Sequence, residues 1–90
     1  MIYNVRDSLD EYEFEQEKHK ILKVLKDNSY LFLDSDYLFI WKHDGTITIG
    51  ITSEKLNHKI IKDFRKIGYK LGFSEHYTGD RYDSNFTRTC

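Results

Sequence analysis

The chain contains no proline and no alanine, only five glycines, and a single cysteine, Cys90. Without proline, its elements must be broken by glycine, asparagine, aspartate and serine. One cysteine excludes an internal disulfide and a paired-cysteine zinc site, and fits a reducing cytoplasm. Cys90 itself reads as an inert, exposed thiol. No apolar run approaches the roughly 18 residues of a bilayer crossing, and the opening MIYNVRDSLD lacks a basic and then apolar signal pattern. Neither sign of charge prevails: the formal net charge is −1, so no global field draws the chain to nucleic acid or membrane.

What is present is apolar enough to fold. Leu, Ile, Val and Phe supply 25 of the 90 residues, above the level of about 20% below which disorder is expected. Residues 1–90 therefore make one domain with one modest core. Ten lysines, nine isoleucines and seven tyrosines, beside the missing alanine and proline, are a skew that AT-rich coding imposes. That points to a low-GC bacterium or its phage.

The segment organising the rest is residues 30–51, YLFLDSDYLFIWKHDGTITIGI. Asp44-Gly45 supplies the two left-handed positions of a type I′ hairpin. Counting outward pairs His43 with Thr46, Lys42 with Ile47, Trp41 with Thr48, Ile40 with Ile49, Phe39 with Gly50 and Leu38 with Ile51. A second two-residue turn at Ser35-Asp36 sets Leu33 against Leu38 and Tyr30 against Trp41. Both registers put the aliphatic residues on one face and Tyr30, Phe32, Tyr37, Phe39 and Trp41 on the other. The expectation is a three-stranded antiparallel meander, with Phe39 covering Gly50.

Helices flank it. Ser8-Leu9-Asp10-Glu11 is a capping box, so a helix over 8–27 follows, with acids first and lysines last, in keeping with its dipole. Asn28 is its left-handed exit. This polarity is also what an acidic docking knob would display. A second helix over 53–71, capped by Thr52 or Ser53, carries Leu56, Ile60, Phe64, Ile67 and Leu71 at helical period. Gly68 and Gly72 are its two available stops, and Leu71 favours Gly72. Ile2, Tyr3 and Val5 suit a short edge strand, residues 73–77 a short extra strand, and 78–90 a polar tail anchored by Tyr82 and Phe86. The fold class is α+β, in the order α-β-β-β-α, with both helices on the aliphatic face.

With the helices on that face, the aromatic face is open to three uses. The tail covers it through Tyr77, Tyr82 and Phe86; or it binds a protein or a second copy; or bases stack on it. The other feature is a lysine row on the second helix, Lys55, Lys59, Lys62, Lys66 and Lys70, spanning about 80° of arc with no acid within it. From 53 to 71 six cations stand against two acids, which suits a phosphate backbone as well as a solvated flank. Catalytic signals are poor. Asp34 and Asp36 form a D-x-D that suits Mg²⁺ or merely a turn. His19, His43, His58 and His76 lack ligand spacing, and no nucleophile context or phosphate loop is present. No catalytic residue, metal or cofactor is expected.

Residues 20–69, with their hairpin at His43-Asp44-Gly45, resemble the HicA toxins, small proteins of the double-stranded-RNA-binding fold. That resemblance implies a helix, three strands and a helix, and an mRNA-cleaving histidine in a Gly-Ser-His segment. The matching place here is Ser35-Asp36-Tyr37, so the histidine has no counterpart. Function is then expected to be non-enzymatic and cytoplasmic: a regulator or inhibitor binding a protein partner or itself through Tyr30, Phe32, Tyr37, Phe39 and Trp41. The alternatives are RNA binding through the lysine row and a degenerate HicA-like ribonuclease.

Overall fold

A computed structural model describes residues 2–4 and 9–89. The elements in order are β1 (Ile2–Asn4), α1 (Glu11–Asp27), β2 (Tyr37–His43), β3 (Thr46–Ser53), α2 (His58–Lys66), β4 (Lys70–Thr78) and β5 (Arg81–Thr89). They form one five-stranded mixed sheet in the order β1-β2-β3-β5-β4, with β1 parallel to β2 and the other pairs antiparallel. The class is α+β, as expected; the sheet is larger than a three-stranded meander.

The β2–β3 hairpin has the register read from the sequence, from His43 opposite Thr46 to Leu38 opposite Ile51, and adds Tyr37 opposite Thr52. Asp44 and Gly45 take φ values of 49° and 76°, the left-handed pair that a type I′ turn needs. The second expected hairpin is absent. Residues 30–33 form no strand, and the place beside β2 belongs to β1, where Ile2 faces Leu38 and Tyr3 faces Phe39.

Helix α1 starts later than the capping box implies. Asp10 is its N-cap, accepting the Glu13 amide at 2.7 Å; Ser8 lies outside the described residues, as do Val5 and Cys90. The exit also differs. Asn28 keeps φ −100° and Ser29 takes the left-handed φ of 58°. Asn28 instead donates through its side chain to the Val24 carbonyl at 2.8 Å and to Asp63 at 3.0 Å, tying the end of α1 to α2.

Helix α2 is shorter than expected at both ends. β3 runs on to Ser53, and Asn57 caps the helix by accepting the Ile60 amide at 2.9 Å. It stops at Gly68, φ 98°, not at Gly72. Leu71 extends the apolar stripe only by coincidence of spacing, since it lies in β4 opposite Phe86.

The C-terminal segment is not a tail over the aromatic face. It is β5, inserted between β3 and β4, with Phe86 opposite Ile49 and fully buried. Its ring lies 4.8 Å from Phe64. Apolar residues of both helices (Ile21, Val24 and Leu25; Ile60 and Phe64), with Leu56 just before α2, join Leu38, Ile40, Ile47, Ile49, Ile51 and Phe86 in one core. Both helices therefore cover the same sheet face. Within this layer Glu17, 4% exposed, holds β5 to α1. Its Oε1 accepts from the Tyr69 hydroxyl at 2.7 Å and from Arg88 Nη2 at 2.7 Å, and its Oε2 from Lys20 at 3.1 Å. No helix among the described residues is long and apolar enough to cross a membrane.

Candidate interaction face

Alternation along each strand decides what the other face presents. Since Leu38, Ile40, Ile47, Ile49 and Ile51 point to the helices, Tyr37, Phe39, Trp41, Thr48, Gly50 and Thr52 point away. The register extends this pattern in rows across the sheet. Tyr3, Phe39, Gly50, Asn85 and Phe73 form one row. Trp41, Thr48, Thr87 and Lys70 form the row on one side of it, and Tyr37, Thr52, Asp83 and Glu75 the row on the other.

The β1–β2 side of this face carries a ladder of nearly parallel rings. Tyr3 and Phe39 are 5.2 Å apart between centroids, Tyr37 and Phe39 6.2 Å, and Tyr3 and Tyr37 6.4 Å, with interplanar angles of 14–17°. On the far side, edge strand β4 supplies Phe73 and Tyr77, 49% and 63% exposed. Between the two banks runs a trough of about 210 Å³ floored by Gly50, Thr52, Asp83 and Asn85. It continues into a second hollow between Tyr37 and Tyr77. The floor is low because Gly50 has no side chain. The ring that leans over it belongs to Trp41, whose atoms lie 3.7–3.8 Å from where a Cβ would stand; Phe39, its register partner, does not cover it.

Of the five aromatics expected to share the face, Tyr37, Phe39 and Trp41 do so. Tyr30 and Phe32 do not: they sit in the loop before β2 and pack against the core cluster. Tyr37 is a rung of the ladder. Tyr3, Phe73 and Glu75 were missed, although Tyr3 lies in an Ile-Tyr alternation and Phe73 and Glu75 alternate along residues 70–78.

The lysine row does not hold together. Lys59, Lys62 and Lys66 lie on α2, Lys55 precedes it and Lys70 belongs to β4. Asp63 stands among them, accepting from Lys59 at 2.9 Å and pairing with Lys66 at 3.7 Å. The Asn28 amide, then Lys59 and Lys66, hold its carboxyl down to about 2. Lys55 lies 5.9 Å from the Tyr82 ring centroid.

The D-x-D pair is divided. Asp34 is exposed, whereas Asp36 is fully buried. Asp36 accepts from the Leu33 amide at 2.9 Å and the Tyr30 hydroxyl at 3.1 Å, and pairs with the Arg81 guanidinium. That carboxylate serves the loop and β5. Among the described residues no three His, Cys, Asp or Glu side chains are grouped as metal ligands. The histidines stand on four separate elements or turns, His76 donating to the Gly79 carbonyl at 2.6 Å. Comparison with protein-family models, curated proteins and solved structures found no match.

Proposed function

We propose that this chain is a non-enzymatic binding module, a cytoplasmic regulator or inhibitor that engages a protein partner through the open face of its sheet. The observation that carries the reading is the helix-free face itself. Five aromatic side chains line two banks of one trough, and a sixth ring, Tyr3, stacks onto the first bank. Tyrosine, tryptophan and phenylalanine offer large, stiff contact area and are concentrated at interfaces.

Electrostatics favours a protein partner over RNA or a second copy. The floor and far bank carry Asp83 and Glu75, which repel phosphates, and Asp63 offsets part of the lysine row on α2. In an isologous dimer each patch meets itself, so one acidic trough would be brought against another. The test places a photo-crosslinking phenylalanine analogue at Tyr37 and, separately, at Lys62, in cells that make the protein. The expected result is a discrete protein adduct at position 37 that the Trp41→Ala change abolishes, with none at position 62. Adducts confined to position 62, or to RNA, overturn the reading. A concentration-dependent dimer that Trp41→Ala dissociates replaces the partner with a second copy.

A further inference from the structure

The trough combines two features that a generic apolar docking site lacks. Its walls are aromatic: Phe39 and Trp41 on one bank, Phe73 on the other, and Tyr37 with Tyr77 in the adjoining hollow. Carboxylates stand among them. Glu75 lines the first hollow, and Asp83 lines both. Asp83 is fixed in place, since one of its oxygens accepts the Thr52 hydroxyl at 2.6 Å.

Among the described residues, the cations of this face lie elsewhere. Arg81 is engaged with buried Asp36. Lys70 stands at the far end of the neighbouring row, opposite Thr87. His43 sits at the hairpin end beside Asp44. Aromatic walls with a carboxylate at the base attract a cation both through the ring quadrupoles and by direct charge. A planar guanidinium gains most, because it also stacks and bonds to a carboxylate through two donors.

Spacing narrows the partner further. The row containing Phe39 and Phe73 and the row containing Tyr37 and Glu75 are two residues apart along the strands, about 7 Å. Side chains at i and i+2 of an extended peptide have that same separation. Lying along the trough, such a peptide would point alternate side chains at the floor. Resting on the reading of this face as a protein-binding surface, we propose that the occupant is an extended partner segment bearing Arg-x-Arg. One guanidinium enters at the row of Phe39 and Phe73, beside Trp41, and the other at the row of Tyr37, beside Tyr77; Asp83 lines both hollows, and Glu75, opposite it in the second row, lines the first.

The test titrates the protein with a blocked Gly/Ser peptide centred on Arg-Thr-Arg, and with its citrulline counterpart, which keeps the shape but not the charge. Amide shifts and the fluorescence of Trp41, the only tryptophan, are followed at low and high salt. The arginine peptide should shift amides of β2, β3, β4 and β5 that flank the trough, and both citrulline substitutions together should weaken it about tenfold or more. Glu75→Gln and Asp83→Asn, the latter retaining an acceptor for Thr52, should each weaken it about threefold to fivefold. An Arg-Arg peptide without the spacer should bind less well.

Equal binding of the citrulline peptide at the same rows overturns the cation preference but leaves the face a protein-binding surface. Tighter binding of a uridine oligonucleotide to these rows overturns both. If no peptide shifts any open-face amide, the Arg-x-Arg assignment fails, and the crosslinking at position 37 decides the broader reading on its own.

Discussion

The Glu17–Arg88 pair gives the sharpest test of how β5 is held in the sheet. The two side chains are 6% and 23% exposed. Arg88 crosses the Tyr69 ring, with its guanidinium carbon 5.6 Å from the centroid. Removing one member of a buried pair costs about 3–5 kcal/mol when the survivor is fully enclosed. Arg88 retains some solvent, and glutamine can still accept from the Tyr69 hydroxyl, so Glu17→Gln should cost about 2–3 kcal/mol. Against a total of about 5–13 kcal/mol for a chain of this length, that is a large share. Arg88→Gln should cost a similar amount, and the double variant less than the sum, with a coupling of about 1–2 kcal/mol. Urea unfolding followed by Trp41 fluorescence reads all four corners of the cycle. A coupling below about 0.5 kcal/mol would show that the pair does not organise this layer. The pH dependence checks the sign independently. Burial alone would raise the Glu17 carboxyl, but hydrogen bonds from Tyr69, Arg88 and Lys20 outweigh it and hold it below the ordinary 4.5. The folded state thus binds this proton less readily than the unfolded chain does. The resulting stability is fully present above 4.5 and is lost as pH falls through the lowered value. The Glu17→Gln variant lacks that part of the acid slope, so the gap between it and the parent should narrow on acidification.

Other perturbations separate backbone from side-chain effects. At Gly68, φ is 98° and a Cβ would stand 2.8 Å from Arg88 Cδ, so Gly68→Ala should cost about 2 kcal/mol, read from the urea midpoint. Gly50→Ala meets only the Trp41 ring at 3.7 Å and should stay within about 1 kcal/mol, with either sign open to packing; equal losses at the two sites would refute the contrast. The Asp63 carboxyl should titrate near 2 in a carbon-detected NMR series, and Lys59→Ala should raise that midpoint toward the ordinary 3.8.

The legible parts of the sequence were those whose cause is local. The β2–β3 register follows from two turn residues and a period of two, and the α2 stripe from 3.6-residue spacing. Strand β5 was illegible because its inward positions are Tyr82, Ser84, Phe86 and Arg88, only one of them aliphatic or phenyl. The burial of Ser84 rests on Ser74, 3.2 Å away, and the placement of Arg88 on Glu17, 71 residues earlier. Nothing in the segment 81–89 announces those partners. Half of the candidate face was legible for the same reason. Tyr37, Phe39 and Trp41 follow from the hairpin, whereas Phe73, Glu75 and Asp83 join them only because β5 brings β4 alongside.

The contest for the free edge of β2 shows how a buried charge overrides propensity. Residues 30–33 are apolar and β-prone, yet they remain a loop with Leu31 76% exposed, while three residues of β1 take the edge. Pairing Leu33 with Leu38 would pull the Leu33 amide and the Tyr30 hydroxyl away from Asp36. That carboxylate would stay buried with only part of its partners, at a cost of several kcal/mol. Strand β1 requires little more than the ordering of Ile2–Asn4 and gains the Tyr3 ring on Phe39. Tyr3→Ser should therefore cost about 1 kcal/mol through the lost stack and expose the β2 edge without recruiting the loop. Hydrogen exchange should then speed at amides of Tyr37–His43 that face β1, while residues 30–33 keep their loop-like chemical shifts. If that segment instead acquires strand shifts and slow exchange in Tyr3→Ser, the Asp36 clamp is not what excludes it, and simple competition for the edge is the better account. Adding Asp36→Asn should release it, so only the double variant is expected to show the hairpin that the apolar pattern favours.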